Sequence, residues 1–461
     1  MEEGTKADRN AGLDLDEPAK KKWYYKVLFS RDWFERRGIL PVHKDYVFPM
    51  TLIAFVSYLL CWILLPIFWG STFKSEESSV HFNGILVNRD PDVIGNYVTK
   101  LVLDTNHGPL PHNTWSEIDP KEYQTTDDMT YLLEPKQSYW VALEIREGAT
   151  DALREAQANG DTSWDPQSVI SIYYSSSRGS ATVSNWIVGP LEKLFKQHLP
   201  QLNFQLSSDF ISKNAENPSA LQTATQAPQT LVDPVSYKPV DLRPWLSVAS
   251  APTAIGLVFL VILTFQFVLA EYRHRDILEH FFCLKHVIIA RIFVPSLAAL
   301  PVALMYALLN TAYELPYGAA FDTYGEGFVV FWLCTYCAVI VFFWTLNSVI
   351  TVITPRFIVI FFVTFLITNV STVHDPVQSM NPFYFYGYMM PFYNLRQIYA
   401  YIWFDSGERN EILKHMGVIW AWAAVLLLTY PFSIWFDYRR RHEKSIWSDE
   451  EAASAYHDQN T

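Results

Sequence analysis

Long charge-free apolar runs alternate along this chain with short basic segments and one extended polar stretch. Six runs stand out: Tyr46–Trp69, Trp245–Ala270, Ile292–Tyr313, a fourth starting at Phe328, a fifth ending near Val373, and Met416–Phe436. Crossing a bilayer's hydrocarbon core as a helix takes about 20 apolar residues. A backbone in lipid must also satisfy its own hydrogen bonds, which leaves the helix as the form for such runs. The pattern therefore predicts an α-helical polytopic membrane protein with six transmembrane helices. Any one run alone could be the buried helix of a soluble core; six of this length are not explained that way. Asn347–Arg356, with Pro355 as breaker, supplies the expected turn between the fourth and fifth runs.

The polar stretch, 70–244, carries shorter periodicities. Val80–Val87, Tyr139–Ile145 and Val169–Tyr174 have the β-branched and aromatic character of strands, and helical patterns at 92–104, 150–159 and 181–198 follow them. Strands alternating with helices predict a small α/β extracytoplasmic domain between helices 1 and 2. The segments 106–131 and 212–244 are rich in polar residues and proline, and are expected to be a loop and a connector back to the membrane. The domain plan is thus a 1–45 cytoplasmic lead, a 46–69 span, the 70–244 domain, a five-helix membrane domain at 245–436 and a 437–461 tail.

Charge sets the expected orientation. Lys26, Arg31, Arg36, Arg37 and Lys44 precede the first run; Arg273, Arg275 and Lys285 follow the second; Arg356 lies between the fourth and fifth; Arg439, Arg440, Arg441 and Lys444 follow the sixth. The loop 314–327 has neither Lys nor Arg. With six spans every basic segment falls on one face, so positive-inside bias puts both termini in the cytoplasm. The first run, behind a charged lead and lacking a small-residue cleavage pattern, is expected to be a retained signal anchor.

Several segments are candidates for function. Trp23–Leu40 mixes rings with cations and is expected to lie in the interface as an amphipathic helix. The segment 271–286 (EYRHRDILEHFFCLKH) is expected to be a second interfacial helix, with Arg273, Arg275, Phe281 and Phe282 as candidates for docking a cytoplasmic partner. The aromatic stretch 381–404, broken by Pro382, Gly387 and Pro391, is expected either to dip into the outer leaflet as a hairpin, with Asn394 and Arg396 at its tip, or to lie flat as an aromatic belt. Arg291, Asn347, Asn394 and Arg396 are the candidate substrate-path residues. Arg291, near the start of its span, is expected to snorkel toward water. No span carries a central ionisable residue, which argues against a proton relay and fits an apolar or amphiphilic cargo.

Composition narrows the rest. The net charge is −12, and no extended basic face remains for nucleic acid. Cys61, Cys283, Cys334 and Cys337 all lie outside 70–244, so that region has no disulfide. The C-x-x-C pair Cys334–Cys337 sits inside an apolar run, where packing is a better reading than redox or metal chemistry. His107 and His112 flank a Gly-Pro-Leu-Pro turn and default to polar loop residues. Ser175–Gly179, between a strand and a helix, could hold an anion, although a solvated turn explains it as well. No nucleophile elbow, zinc-protease helix, dinucleotide loop or phosphate loop is present, so no catalytic set, cofactor or metal is expected, and any ATPase would be a separate chain.

The layout of one span, a long outer domain and five further spans resembles ABC-2-type permeases and the phage-infection-protein group. More closely, the chain is similar to the fungal nitrosoguanidine-resistance membrane proteins (DUF3533). The resemblance rests on Gly84-Ile85-Leu86-Val87-Asn88-Arg89-Asp90, on Tyr139–Ile145 with Ala149-Thr150-Asp151-Ala152-Leu153, on Ile172–Arg178, on Gly387-Tyr388-Met389-Met390-Pro391-Phe392-Tyr393-Asn394, and on Gly417–Trp420. It implies a multi-pass protein, by expectation in the plasma membrane, that confers chemical resistance by exporting toxic or amphiphilic compounds or by altering lipid distribution. The alternative is a regulatory or scaffold protein acting through partners. Membrane lipid, an amphiphilic small molecule, a separate ATPase or other membrane protein, and a second copy in a homodimer are the expected partners.

Overall fold

The computed structural model describes residues 47–353 and 355–458. The interfacial helix expected at Trp23–Leu40 lies outside the described residues. The chain divides into two compact units, 1–65 and 66–461. The first ends within α1 (Phe48–Gly70), a helix apolar enough and long enough to cross a membrane.

Unit 66–461 begins with a mixed five-stranded sheet of order β2-β1-β3-β4-β5. Its strands are β1 (Asn83–Asn88), β2 (Thr114–Ile118), β3 (Val141–Ile145), β4 (Ile170–Tyr174) and β5 (Tyr237–Asp241). Strand β1 runs parallel to both β2 and β3, β4 antiparallel to β3, and β5 parallel to β4. The central strands are continuous apolar runs because both faces are covered. On one face, Leu86 and Leu143 pack with Ile94 and Val98 of α2 (Val93–Asp104), Leu153 of α4 (Ala149–Asn159) and Leu199 of α5 (Gly189–Lys213). On the other, Ile85, Val87 and Ala142 pack on Met129, Leu132 and Leu133 of α3 (Thr126–Leu133).

Two expectations for this region are corrected. The loop expected at 106–131 contains β2 and the start of α3, and the connector expected at 212–244 contains short helices at Pro218–Ala224 and Gln229–Val232 followed by β5. Helix α3 starts at a capping box between Thr125 and Asp128, so the polar residues there are a start signal. Pro239 lacks an N–H to give a ladder, and β5 tolerates it as an edge strand.

From Asp241 the chain enters a helical group made of α6 (Leu257–Phe281), α7 (Leu284–Ala312), α8 (Tyr324–Ile353), α9 (Pro355–Val370), α10 (Pro391–Phe404) and α11 (Arg409–Asp458). With α1, five helices among the described residues are long and apolar enough to cross a membrane: Phe48–Gly70, Ser247–Phe281, Leu284–Ala312, Tyr324–Ile353 and Arg409–Arg441. The fifth expected span is the shorter α9. Its 16 residues make about 24 Å of helix, less than a typical hydrocarbon core of about 30 Å. Helix α8 packs on α6, α7, α9, α10 and α11 and is the most buried of the long ones. It continues to Ile353, so Asn347 is not part of a turn; the break comes at Pro355.

The stretch 271–286 is not a separate interfacial helix. Helix α6 runs unbroken to Phe281, and α7 starts at Leu284 after the shortest of turns. The aromatic stretch also differs from a flat belt. Its first part, Pro382–Met389, is a run of 3₁₀ turns, and in α10 every residue but Gln397 is buried. Phe331 of α8 lies 4.3 Å from the Tyr399 ring and 5.3 Å from that of Trp403. The α10 rings are therefore core.

Candidate functional site

The most unusual chemistry in the molecule lies among the long helices, at the end of the group remote from the sheet. Helix α6 carries the chain away from β5, so its C-terminal part marks that end. Glu271 (α6), Arg291 (α7), Asn347 (α8) and Tyr430 (α11) come together there. At 1.5 Å per residue, Glu271, Arg291 and Asn347 stand roughly 9–15 Å in from their helix ends on that side, which is one common depth. The Arg291 Nε lies 3.6 Å from the Glu271 carboxylate, with the Arg291 side chain fully buried. The Asn347 amide donates to the other Glu271 oxygen at 3.0 Å. The guanidinium faces the Tyr430 ring at 5.9 Å.

Arg291 therefore does not snorkel. It belongs to the i, i+4 stripe Val287, Arg291, Pro295, Ala299, Ala303 and Ala307, all buried, which is the face α7 turns to its neighbours. The alanines of that stripe recur at i, i+4 in the sequence, but the partners that receive Arg291 come from other helices. Glu271 was missed because it stands at the head of a charged segment; it is nonetheless inside the long helix, ten residues before its end.

The hydrogen bonding of this layer is incomplete. Among the described residues no hydrogen-bond partner is found for Arg291 Nη1 and Nη2, Asn347 Oδ1 or the Tyr430 hydroxyl, and Arg291 Nε meets Glu271 Oε1 only as the 3.6 Å ion pair. A buried polar group without a partner costs on the order of 1–3 kcal/mol, and a charged one more. Several in one layer, in helices built to cross lipid, mark a functional place more than a structural one.

Nearer the helix ends lies a second, better satisfied ionic group. The Asp437 carboxylate is fully buried and accepts from Arg440 at 2.9 Å and Arg441 at 3.1 Å. Arg441 also grips Glu279 with both nitrogens and reaches Asp276 at 3.1 Å. Arg275 stacks on Tyr272 at 3.8 Å and lies 3.6 Å from Asp437. These contacts tie α6 to α11. Of the four candidate docking residues, Arg275 is thus turned into the protein, while Arg273, Phe281 and Phe282 are exposed.

Asn394 and Arg396 belong to a different place, the joint between the helical group and the sheet. Asn394 donates to the carbonyls of Tyr388 and Met390 at 3.0 and 2.8 Å, and its amide oxygen lies 2.8 Å from the His415 ring. Arg396 donates to the Arg178 carbonyl at 3.2 Å, and burial pulls its guanidinium below the usual arginine range. Arg178 lies flat on Trp140, 3.7 Å from the ring centroid, and burial lowers it to about 10. Glu134 accepts from the Ser406 hydroxyl at 2.9 Å and the Gly407 amide at 2.8 Å. Arg243 pairs with Asp405 at 2.8 Å, and Thr182 donates to Asp375 at 2.8 Å. The four candidate path residues therefore form two pairs, Arg291 with Asn347 at the remote end and Asn394 with Arg396 at the joint.

The remaining candidates are absorbed locally. The Ser176 hydroxyl and amide both donate to Asp241, so a carboxylate already occupies the loop proposed for an anion. His112 lines a cleft of about 410 Å³ beside Trp115, Leu191 and Leu194. Among the described residues no group of three or more His, Cys, Asp or Glu is placed to hold a metal, and Cys334 and Cys337 are free thiols.

A family model described as "Protein of unknown function (DUF3533)" matches residues 53–428. The chain belongs to the DUF3533 family. This DUF3533 protein is 22% identical, over 435 residues, to the "Uncharacterized endoplasmic reticulum membrane protein YJR015W" of Saccharomyces cerevisiae, a match covering 87% of this chain and 81% of the yeast protein. No solved structure matches it. The family match and the membrane relative agree with the five long apolar helices: the DUF3533 chain is a multi-pass membrane protein. The matched range includes Glu271, Arg291 and Asn347, while Tyr430 and Asp437 lie beyond it.

Proposed function

We propose that this DUF3533 protein moves amphiphilic compounds within or across its membrane, by export or by redistribution between leaflets, and so confers resistance to them. The observation that carries this reading is the incompletely bonded layer of Arg291, Glu271, Asn347 and Tyr430 inside long apolar helices. Polar and ionisable groups at such depth are expensive and are kept where something polar must pass or stop. The protein acts without chemical change to its cargo, and any ATP is hydrolysed by a separate chain. The likeness in layout to ABC-2-type permeases, and a homodimeric state, belong to this same reading.

The topology that goes with it has six crossings. Helix α9, though short, carries the chain from the remote end of α8 back to Asp375, which bonds Thr182 beside the sheet. An α/β domain outside the cytoplasm and both chain ends inside it follow from that count and from the basic residues Arg273, Arg275, Arg440 and Arg441 at the remote end. The yeast relative's description favours the endoplasmic reticulum over the plasma membrane expected from the sequence; imaging of the tagged chain separates the two.

Reconstitution in sealed vesicles with a panel of fluorescent amphiphiles tests the function. Transfer faster than in protein-free vesicles, with or without an added energy source, is the expected result. Wild-type vesicles that move none of the panel contradict it. A scaffold role is the second reading, favoured by the exposed Ile277, Phe281 and Phe282 at the α6–α7 turn. It predicts co-purifying partners lost on Phe281→Ser/Phe282→Ser, and no transfer.

A further inference from the structure

Resting on that reading, we infer that the layer around Arg291 is a binding site for a zwitterionic head group, a phosphate-type oxyanion and an ammonium carried on one molecule. The unspent valences decide the chemistry. The guanidinium offers N–H groups from Nη1 and Nη2 that no described residue accepts, and these suit an oxyanion. Beside it, Asn347 Oδ1 is an acceptor without a donor and Glu271 Oε1 is met only by the 3.6 Å ion pair with Arg291 Nε, and these suit an ammonium. The Tyr430 hydroxyl, also without a hydrogen-bond partner, can serve either pole.

Net charge excludes the simpler ligands. Arg291 and Glu271 cancel at 3.6 Å separation. In the adjacent ionic group, Arg275, Arg440 and Arg441 balance Asp437, Glu279 and Asp276. A ligand with one net charge would leave that charge uncompensated in a low dielectric, where it is most costly. An uncharged amphiphile would offer the guanidinium and the carboxylate only neutral partners, which bond them more weakly than charged ones do. A zwitterion satisfies donors and acceptors together and keeps the layer neutral. At 3.6 Å the Arg291–Glu271 pair leaves both Nη groups free, whereas the Asp437 oxygens accept hydrogen bonds from Arg440 and Arg441.

The test uses the full chain in dodecyl maltoside and equilibrium dialysis of radiolabelled probes below their micelle concentrations. The probes are dihexanoyl phosphatidylcholine, dihexanoyl phosphatidic acid, dihexanoyl glycerol and glycerophosphocholine. The wild type is expected to hold phosphatidylcholine at least tenfold tighter than phosphatidic acid or the diglyceride, and Arg291→Gln and Glu271→Gln each to lose at least tenfold. Equal binding of glycerophosphocholine supports the site with a free zwitterion as its source; binding of the chain-bearing probe alone supports it with a lipid as its source. Should a single substitution unfold the chain by leaving a lone buried charge, the double variant, still neutral, carries the comparison. Equal affinity for all probes, or affinities unchanged in the variants, overturns the inference and leaves the layer to water alone. Wild-type vesicles that transfer amphiphiles under that outcome leave the transport reading standing; vesicles that transfer none while the site binds overturn the transport reading instead.

Discussion

Asp90 shows how much one carboxylate organises in the sheet domain. One of its oxygens accepts from the Gly95 amide at 3.0 Å and from the Thr150 hydroxyl at 2.6 Å, and Thr150 in turn accepts from the Ile94 amide at 3.0 Å. The start of α2 and the start of α4 are thus bonded through two side chains, both buried. Gly95 is required there, because a Cβ would sit 1.8 Å from the Asp90 carbonyl oxygen. Asp90→Ala is expected to cost about 1–3 kcal/mol, since it leaves the Gly95 amide and the Thr150 hydroxyl unpaired. Thr150→Val is expected to cost a similar amount. Thermal unfolding of the purified full chain reads both, and an unchanged midpoint for both contradicts this account. Two of the segments that carry the family resemblance, Gly84–Asp90 and Ala149–Leu153, therefore meet as an architectural joint. Arg291 shows the opposite case. Its position in a run was plain in the sequence, but its inward direction depends on Glu271 and Tyr430, residues 20 and 139 positions away that only folding brings near.

At the scale of elements, α10 decides how the helices meet the sheet. Its 14 residues bury their rings against Phe331 and Tyr317 and place Asp405, Ser406 and Gly407 against Arg243 and Glu134. Deleting its largest buried side chain, Trp403→Ala, is expected to cost about 3–5 kcal/mol. Thr335→Val, which breaks the 2.8 Å contact with the Tyr399 hydroxyl, is expected to cost about 1–3 kcal/mol. Melting curves in detergent check both; a Trp403→Ala protein as stable as wild type would show that α10 is a surface element. The long apolar helices and the strands β1, β3 and β4 were legible because each has its own period and length. Strand β2 was not, because Thr114–Ile118 is short and only Trp115 is buried. Strand β5 was hidden by Pro239, which is acceptable only at an edge the sequence does not reveal. Helix α10 was visible as an aromatic stretch, but whether such rings face lipid, water or protein is set by partners far along the chain.

Over the whole molecule, a transport role depends on which parts face which side of the membrane. The helices of unit 66–461 have the sheet at one end and, at the other, the ionic group of Asp437 with the exposed turn at Phe281–Cys283. The net charge of −12 takes no part in this; the placement of basic residues at the ends of the helices does. The buried Arg291 layer has meaning as a site only if lipid surrounds these helices and the two ends lie in different compartments. The most direct test is membrane-impermeant maleimide labelling of sealed vesicles with the cytoplasmic face outward. The native Cys283, at the exposed turn, in a Cys61→Ser background is compared with Ser219→Cys, exposed in the short helix Pro218–Ala224 of the sheet domain, in a Cys61→Ser/Cys283→Ser background. Labelling of Cys283 in intact vesicles, and of position 219 only after permeabilisation, is the predicted result. Equal labelling of both positions in intact vesicles would contradict it.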